Sequence, residues 1–86
     1  MEIVFLSIFQ AEEIHNEQIR LYVGMSGVRD HGLLESALGL PMQTFEGQLL
    51  HPTIFLMAAA YFFSLIKNHA FIDGNKRTAT MAVYTF

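Results

Sequence analysis

The chain has 86 residues, of which 52% are hydrophobic, and a formal net charge of -3 at pH 7. Its five lysines and arginines are too few for broad nonspecific nucleic-acid binding, and the absence of cysteine excludes disulfides and thiolate metal sites. We therefore expect one domain, residues 1–86, with a thin core and a cytoplasmic location.

Two apolar stretches of the sequence are candidates for an export signal or a membrane-spanning segment. The N-terminal "MEIVFLSIF" has no positively charged start and no small-residue cleavage site, so it is a poor signal peptide. The longest apolar run, residues 53–66, has 14 residues and is shorter than the roughly 18 to 20 that span a bilayer. We expect no membrane association.

The first predicted element is an amphipathic helix. Ser7 is a suitable N-cap for a helix over residues 8–22, in which apolar positions recur with the helical period. Gly24 and Gly27 then indicate a turn.

A short second helix follows the turn. Asp30 is a natural N-cap, and Arg29 beside it is expected to form a local ion pair. Gly39 and Pro41 end this helix, and residues 39–51 have no clear period and predict a long loop.

The third predicted helix is the most apolar part of the chain. Pro52 suits its first position, where a missing N–H costs nothing, and residues 53–67 form a helix that is apolar on every face. A strand is the alternative, but the run exceeds the usual strand length. Such a helix is the centre of a core, and the sequence therefore predicts an all-α fold around it.

The stretch "HAFIDGNKR" concentrates polar side chains in an apolar chain. It lies in a predicted helix-loop-helix, residues 68–86, with Asn75 as the expected N-cap of the last helix. Lys76 and Arg77 then fall in the first turn, where cations oppose the helix dipole. Three features together indicate an anion site, most naturally for phosphate: these cations, the free backbone N–H groups, and Gly74, which would allow close approach of the anion.

Two further side chains give this site a possible chemistry. Asp73 supplies a hard oxygen ligand for Mg²⁺ beside phosphate oxygens. Histidine exchanges its proton near neutral pH, so His69 is the natural general base for a hydroxyl nucleophile. The other histidines, His15, His31 and His51, lack zinc-ligand spacing and are expected to be hydrogen-bonding or surface residues. On spacing alone, a solvated surface loop with a capped helix remains the simpler interpretation.

"HAFIDGNKRTA" resembles the signature of the Fic/Doc superfamily, in particular its Doc (death-on-curing) branch. The segments "IHNEQIRLYVGMSGVRDHGLLESAL" and "HPTIFLMAAAYFFSLIKNHAFIDGNKRTA" are similar to Doc-family sequence in the same order. The resemblance implies a Fic/Doc-like helical bundle. It also implies that ATP and Mg²⁺ are used, with His69 as base, Asp73 as metal ligand, and Gly74, Asn75, Lys76 and Arg77 as the phosphate-binding residues.

Two activities occur in the superfamily. The resemblance to Doc toxins implies a kinase that phosphorylates a threonine of elongation factor Tu, whereas resemblance to Fic members implies transfer of AMP to a protein hydroxyl. Lys76 occupies a position that is commonly glycine in AMP-transferring members, which favours the kinase. Gly74 is the Fic-like choice, so AMP transfer remains the alternative.

The resemblance also implies partners: an elongation factor Tu-like substrate and an antitoxin. Doc-like proteins usually continue for several dozen residues beyond the motif helix, so a third possibility is an inactive, incomplete core that only binds a partner or itself. With few elements to cover residues 53–66, we expect some apolar surface of that helix and of residues 76–86 to stay open and to support self-association, with Phe62 or Phe63 in or beside the contact.

Overall fold

The structure, a computed structural model, describes residues 3–86; the first two residues of the N-terminal apolar stretch lie outside this range. Within it, four helices are labelled α1 (Ile8–Tyr22), α2 (His31–Gly39), α3 (Ile54–Asn68) and α4 (Asn75–Thr85). The predicted all-α class is confirmed. None of these described helices is long and apolar enough to cross a membrane.

The first two helices begin where local hydrogen bonding predicts. The Ser7 hydroxyl accepts the Gln10 N–H while the Gln10 side chain accepts the Ser7 N–H, which forms a capping box. The Asp30 carboxylate accepts the Leu33 N–H at 2.9 Å and caps α2. Both predicted caps are confirmed.

Helix α3 begins later than predicted. Its N-cap is Thr53, whose hydroxyl accepts the Leu56 N–H at 3.1 Å. Pro52 therefore precedes the cap, and its predicted place at the first helical position is wrong. The reason is that Thr53 satisfies a free helix N–H with its side chain, which is the strongest local determinant of a helix start.

Part of the predicted loop over residues 39–51 is ordered by turns. A short 3₁₀ helix, Leu40–Met42, is followed by a two-stranded hairpin, Thr44–Phe45 with Gln48–Leu49. The two residues between the strands have positive φ angles, 52° for Glu46 and 77° for Gly47, the conformation of a tight hairpin turn.

Helix α3 is the centre of the fold and packs against α2, α4 and the 3₁₀ helix. Two side chains join it to α2: the Ser64 hydroxyl donates to the Ala37 carbonyl at 2.8 Å, and the Asn68 amide donates to the Leu33 carbonyl at 2.9 Å. One face of α3 is buried, through Met57, Ala60, Tyr61, Ser64 and Leu65.

The opposite face of α3 is open. Phe55 is 83% exposed, Phe63 58% and Phe62 38%. The expectation that some apolar surface of residues 53–66 stays open is therefore confirmed, because α2, α4 and the 3₁₀ helix cover only part of the circumference of α3.

Tyr61 is fully buried, and its hydroxyl accepts the Leu6 N–H at 3.0 Å. Burial raises the pKa of this hydroxyl, so the neutral form is favoured. Tyr61→Phe removes the acceptor and leaves the Leu6 N–H unpaired, which should lower the free energy of unfolding by about 1–3 kcal/mol.

Urea unfolding measures this loss. The matched control is Tyr84→Phe, because Tyr84 is 80% exposed and its change should stay within about 0.5 kcal/mol. Equal stability of the two variants would contradict a structural role for the Tyr61 hydroxyl.

Candidate active site

The predicted site residues converge in the loop between α3 and α4. All six line one surface cavity of about 450 Å³, together with Ile72; they are His69, Asp73, Gly74, Asn75, Lys76 and Arg77. We call this the motif cavity, and residues 69–74 the motif loop. Helix α1 packs against α4 and so lies close to the motif loop.

The start of α4 differs from the prediction by one residue. Its N-cap is Gly74, and Asn75 is already helical, so the prediction of Asn75 as the cap is wrong. The Asn75 side chain instead pairs with both backbone groups of Phe71, donating to the carbonyl at 2.9 Å and accepting the N–H at 3.0 Å. Two hydrogen bonds that close the loop outweigh a single capping bond. No side chain caps α4, so its first N–H groups can bind an anion.

Gly74 has a structural reason for being glycine. Its φ of 72° lies in the left-handed region, and an added Cβ would come within 3.2 Å of the Ile19 Cδ1 atom and 4.0 Å of the His15 ring. The bare side of Gly74 thus faces α1. Backbone conformation and packing against α1 are therefore sufficient to explain this glycine.

Asp73 is held from two sides through its carboxylate. Oδ1 accepts the Gly74 N–H at 2.8 Å, and Oδ2 accepts the Met25 N–H at 3.2 Å. These hydrogen bonds, first that of Met25 and then that of Gly74, hold the pKa of the Asp73 carboxyl below its usual value, and the charge of Arg77 adds a smaller effect. Asp73 is therefore ionised at neutral pH.

The donor set fits a magnesium ion that arrives with a nucleotide. The Asp73 carboxylate is exposed, and each oxygen has a lone pair beyond the one used by an amide. Magnesium commonly takes one or two protein carboxylates and completes its shell with phosphate oxygens and water. Residues 3–86 contain no cluster of three or more potential ligands.

The two cations occupy the first turn of α4, as predicted. Lys76 and Arg77 are both exposed. The Arg77 guanidinium lies 4.7 Å from the centre of the Tyr22 ring, an attractive cation–π contact with the end of α1.

His69 ends α3 in a left-handed conformation, with φ 47° and ψ 48°. Its exposed side chain lines the motif cavity. The Arg29 side chain holds this end of the helix by donating to the His69 carbonyl at 2.7 Å and to the Asn68 carbonyl at 3.1 Å. Arg29 was expected to pair locally with Asp30; the free carbonyls and negative dipole at a helix end attract it instead.

The stretch of residues 24–30, which we call the pairing segment, has a role that the sequence does not show. It runs antiparallel to the motif loop: Val28 bridges Phe71, and the Gly27 carbonyl accepts the Ile72 N–H at 3.1 Å. Its two glycines indicated a turn, and Arg29 and Asp30 indicated a capped helix start with a local ion pair. None of these local signals showed what the segment contacts.

His15 is the second structural contribution that the sequence did not locate. It is buried on α1, stacks on the Phe71 ring at 3.9 Å, and lies with Nε2 2.7 Å from the Asp73 carbonyl. Because a carbonyl oxygen only accepts, Nε2 carries the proton. Its position in the helical period could have indicated that it is buried, since His15 shares the buried face of α1 with Ala11 and Gln18.

Fold and site together define a helical protein in which a helix-loop-helix places two cations and a carboxylate at one surface cavity. Residues 5–86 match the model of the Fic/DOC family, and the chain belongs to that family. It is similar to a protein named Toxin Doc from Mycolicibacterium smegmatis, with 49% identity over 59 residues, which is 69% of this chain and 45% of the relative. The chain thus spans less than half the length of that relative. No solved structure matches it.

Arg29→Ala tests the hydrogen bonds at the end of α3. It removes donors from two carbonyls and should lower the free energy of unfolding by about 1–2 kcal/mol. It should also speed amide exchange in the motif loop. Thermal unfolding and hydrogen exchange measure both effects.

Arg20→Ala is the matched control, because Arg20 pairs only with the exposed Glu17 on the same helix, and such a pair contributes about 0–1 kcal/mol. If amide exchange in the motif loop increased equally in the two variants, the Arg29 hydrogen bonds would not be what stabilises the backbone at His69.

Proposed function

We propose that the chain carries the catalytic core of a Doc-like toxin of a toxin–antitoxin system. The proposed reaction is ATP- and Mg²⁺-dependent phosphorylation of a hydroxyl on a translation factor similar to elongation factor Tu. The strongest support is the motif cavity, which gathers an ionised Asp73, two cations, the uncapped start of α4 and an exposed His69. The named relative, Toxin Doc, supports the toxin assignment and, with it, an antitoxin partner and a cytoplasmic location.

Each side chain has a distinct task in this proposal. Asp73 binds the metal, and the N–H groups at the start of α4 bind phosphate oxygens together with Lys76 and Arg77. Magnesium–ATP, when bound, supplies the phosphoryl group and neutralises charge on its phosphate oxygens. Asn75 keeps the motif loop closed through Phe71 and contributes its backbone N–H to the helix start.

His69 performs the proton transfer. The hydroxyl oxygen of the target forms a bond to the γ-phosphorus, the bond from that phosphorus to ADP breaks, and the hydroxyl proton passes to the His69 imidazole. The exposed position of His69 leaves it accessible to a protein hydroxyl. Its main chain is held by Arg29, which limits the imidazole to positions near the cavity.

Transfer of AMP is the second candidate reaction. Gly74 was the residue that favoured it, but the left-handed backbone and the contact with α1 account for a glycine there in either reaction. Lys76 is then the residue that distinguishes the candidates, because its ammonium group adds positive charge where part of the phosphate chain would lie. This supports the kinase.

Labelled ATP separates the two reactions. With elongation factor Tu as target, label should transfer from the γ-phosphate and not from the α-phosphate. His69→Ala should lower the rate by about 10²- to 10⁴-fold, the usual contribution of a general base. His31→Ala is the control, because His31 is exposed outside the motif cavity and its change should leave the rate unaltered.

Transfer of the α-label would instead establish AMP transfer. No transfer of either label, in a sample that binds ATP, would favour the remaining candidate, an inactive core that binds a partner or itself. The open face of α3 supports that candidate, since Phe55 and Phe63 are largely exposed.

Sedimentation tests self-association through the open face of α3. The chain should form a dimer or higher oligomer at micromolar concentration, and Phe63→Asp should shift it toward monomer by placing a charge in the contact. Phe9→Asp is the control, because Phe9 is 77% exposed on α1, outside the surface predicted to associate. A wild-type monomer that binds no hydrophobic dye would contradict this prediction.

A further inference from the structure

Gly24 lies against the carboxylate of Asp73. A Cβ added at residue 24 would stand 2.7 Å from the Asp73 Oδ2 atom and 2.9 Å from the Ile19 Cδ1 atom. The next residue, Met25, donates its N–H to the same Oδ2 atom at 3.2 Å. Only a residue without a side chain lets the pairing segment come close enough for this hydrogen bond.

Gly24 is not explained by backbone conformation. Unlike Gly27 and Gly74, it has no left-handed φ angle. An alanine at residue 24 would therefore make close contacts but would not strain the backbone. The contact is with the Asp73 carboxylate and with the end of the Ile19 side chain, both of which can rotate away. Alanine at residue 24 should therefore displace the carboxylate while leaving the fold intact.

We propose that Gly24 is a positioning residue for Asp73: by lacking a side chain, it allows the Met25 amide to fix the carboxylate in the orientation that receives the metal of a magnesium–nucleotide. This inference rests on the proposed function, because it assigns the metal to Asp73. It adds a residue of the pairing segment to the site, 49 positions before the ligand in sequence.

Two hydrogen bonds from different parts of the chain explain why the orientation is defined. The Gly74 amide holds Oδ1 from within the motif loop, and the Met25 amide holds Oδ2 from the pairing segment. With only the first bond, an exposed carboxylate remains free to rotate about its side-chain torsions. Fixing it beforehand removes an ordering cost from metal binding, which is how partners of a ligand raise metal affinity.

The test compares Gly24→Ala with Gly39→Ala, a control in which no atom lies within 4 Å of the added Cβ. Calorimetry with ATP, with and without Mg²⁺, measures the gain in affinity that the metal provides. Gly24→Ala should reduce this gain by about 10- to 100-fold, as loss of a partner to a metal ligand does. ATP affinity without Mg²⁺ should not change, whereas a general loss of structure would lower both.

A ligand-free measurement accompanies the calorimetry. Amide exchange at Met25 should be faster in Gly24→Ala than in the wild type, because its acceptor has moved, and unchanged in Gly39→Ala. The double variant Ile19→Val with Gly24→Ala removes the Cδ1 contact and keeps the contact with Asp73. It should therefore remain impaired in metal-dependent binding and in Met25 protection.

The outcomes separate this inference from the proposed function. Recovery in the double variant would assign the defect to Ile19 and overturn the proposal, as would a Gly24→Ala protein with wild-type Met25 exchange and wild-type metal dependence. If the wild type itself gains no ATP affinity from Mg²⁺, the proposed function fails, and Met25 exchange alone then decides whether Gly24 positions Asp73.

Discussion

The backbone pairing between residues 24–30 and the motif loop is the constraint on which the rest of the site depends. The Ala70 carbonyl accepts the N–H groups of both Arg29 and Asp30, and the Gly27 carbonyl accepts that of Ile72. Because the loop has left-handed residues at both ends, His69 and Gly74, it has no regular structure of its own to stabilise it. The pairing segment supplies the missing partners and holds the loop in one conformation.

Once the loop is held, the ends of two helices face a common cavity. The loop joins the C-terminal end of α3, which carries His69, to the N-terminal end of α4, whose positive dipole favours phosphate. Lys76 and Arg77 at that end are unfavourable for an isolated helix. Helix α4 tolerates them because its inner face, including Ala79 and Ala82, is buried against the core. Packing thus offsets the local electrostatic cost of two cations at the start of the helix.

The apolar composition of α3 has two different consequences. On one face it forms the core, where Tyr61 and Leu65 are almost inaccessible to water; on the other it leaves Phe55 and Phe63 in contact with water. The hydrogen bonds of Ser64 and Asn68 to α2 determine which face of α3 is turned toward the core. Apolar content alone does not select a buried face when every face of a helix is apolar. The hydrogen bonds of these two polar side chains therefore determine the orientation of α3.

The sequence by itself determined the helices and the caps at Ser7 and Asp30, because capping and helical periodicity depend on neighbours within about four positions. It identified the residues of the motif through their resemblance to the Fic/Doc signature. Only the tertiary structure decided which groups meet there. The Met25 and His15 bonds to Asp73 join residues 48 and 58 positions apart. The first forms because residues 24–30 pair with the motif loop, and the second because α1 packs against α4. The prediction of Asn75 as the cap of α4 was wrong even though its partner Phe71 is only four positions away. The two residues meet because the loop between them folds back, and that loop is held by residues 24–30.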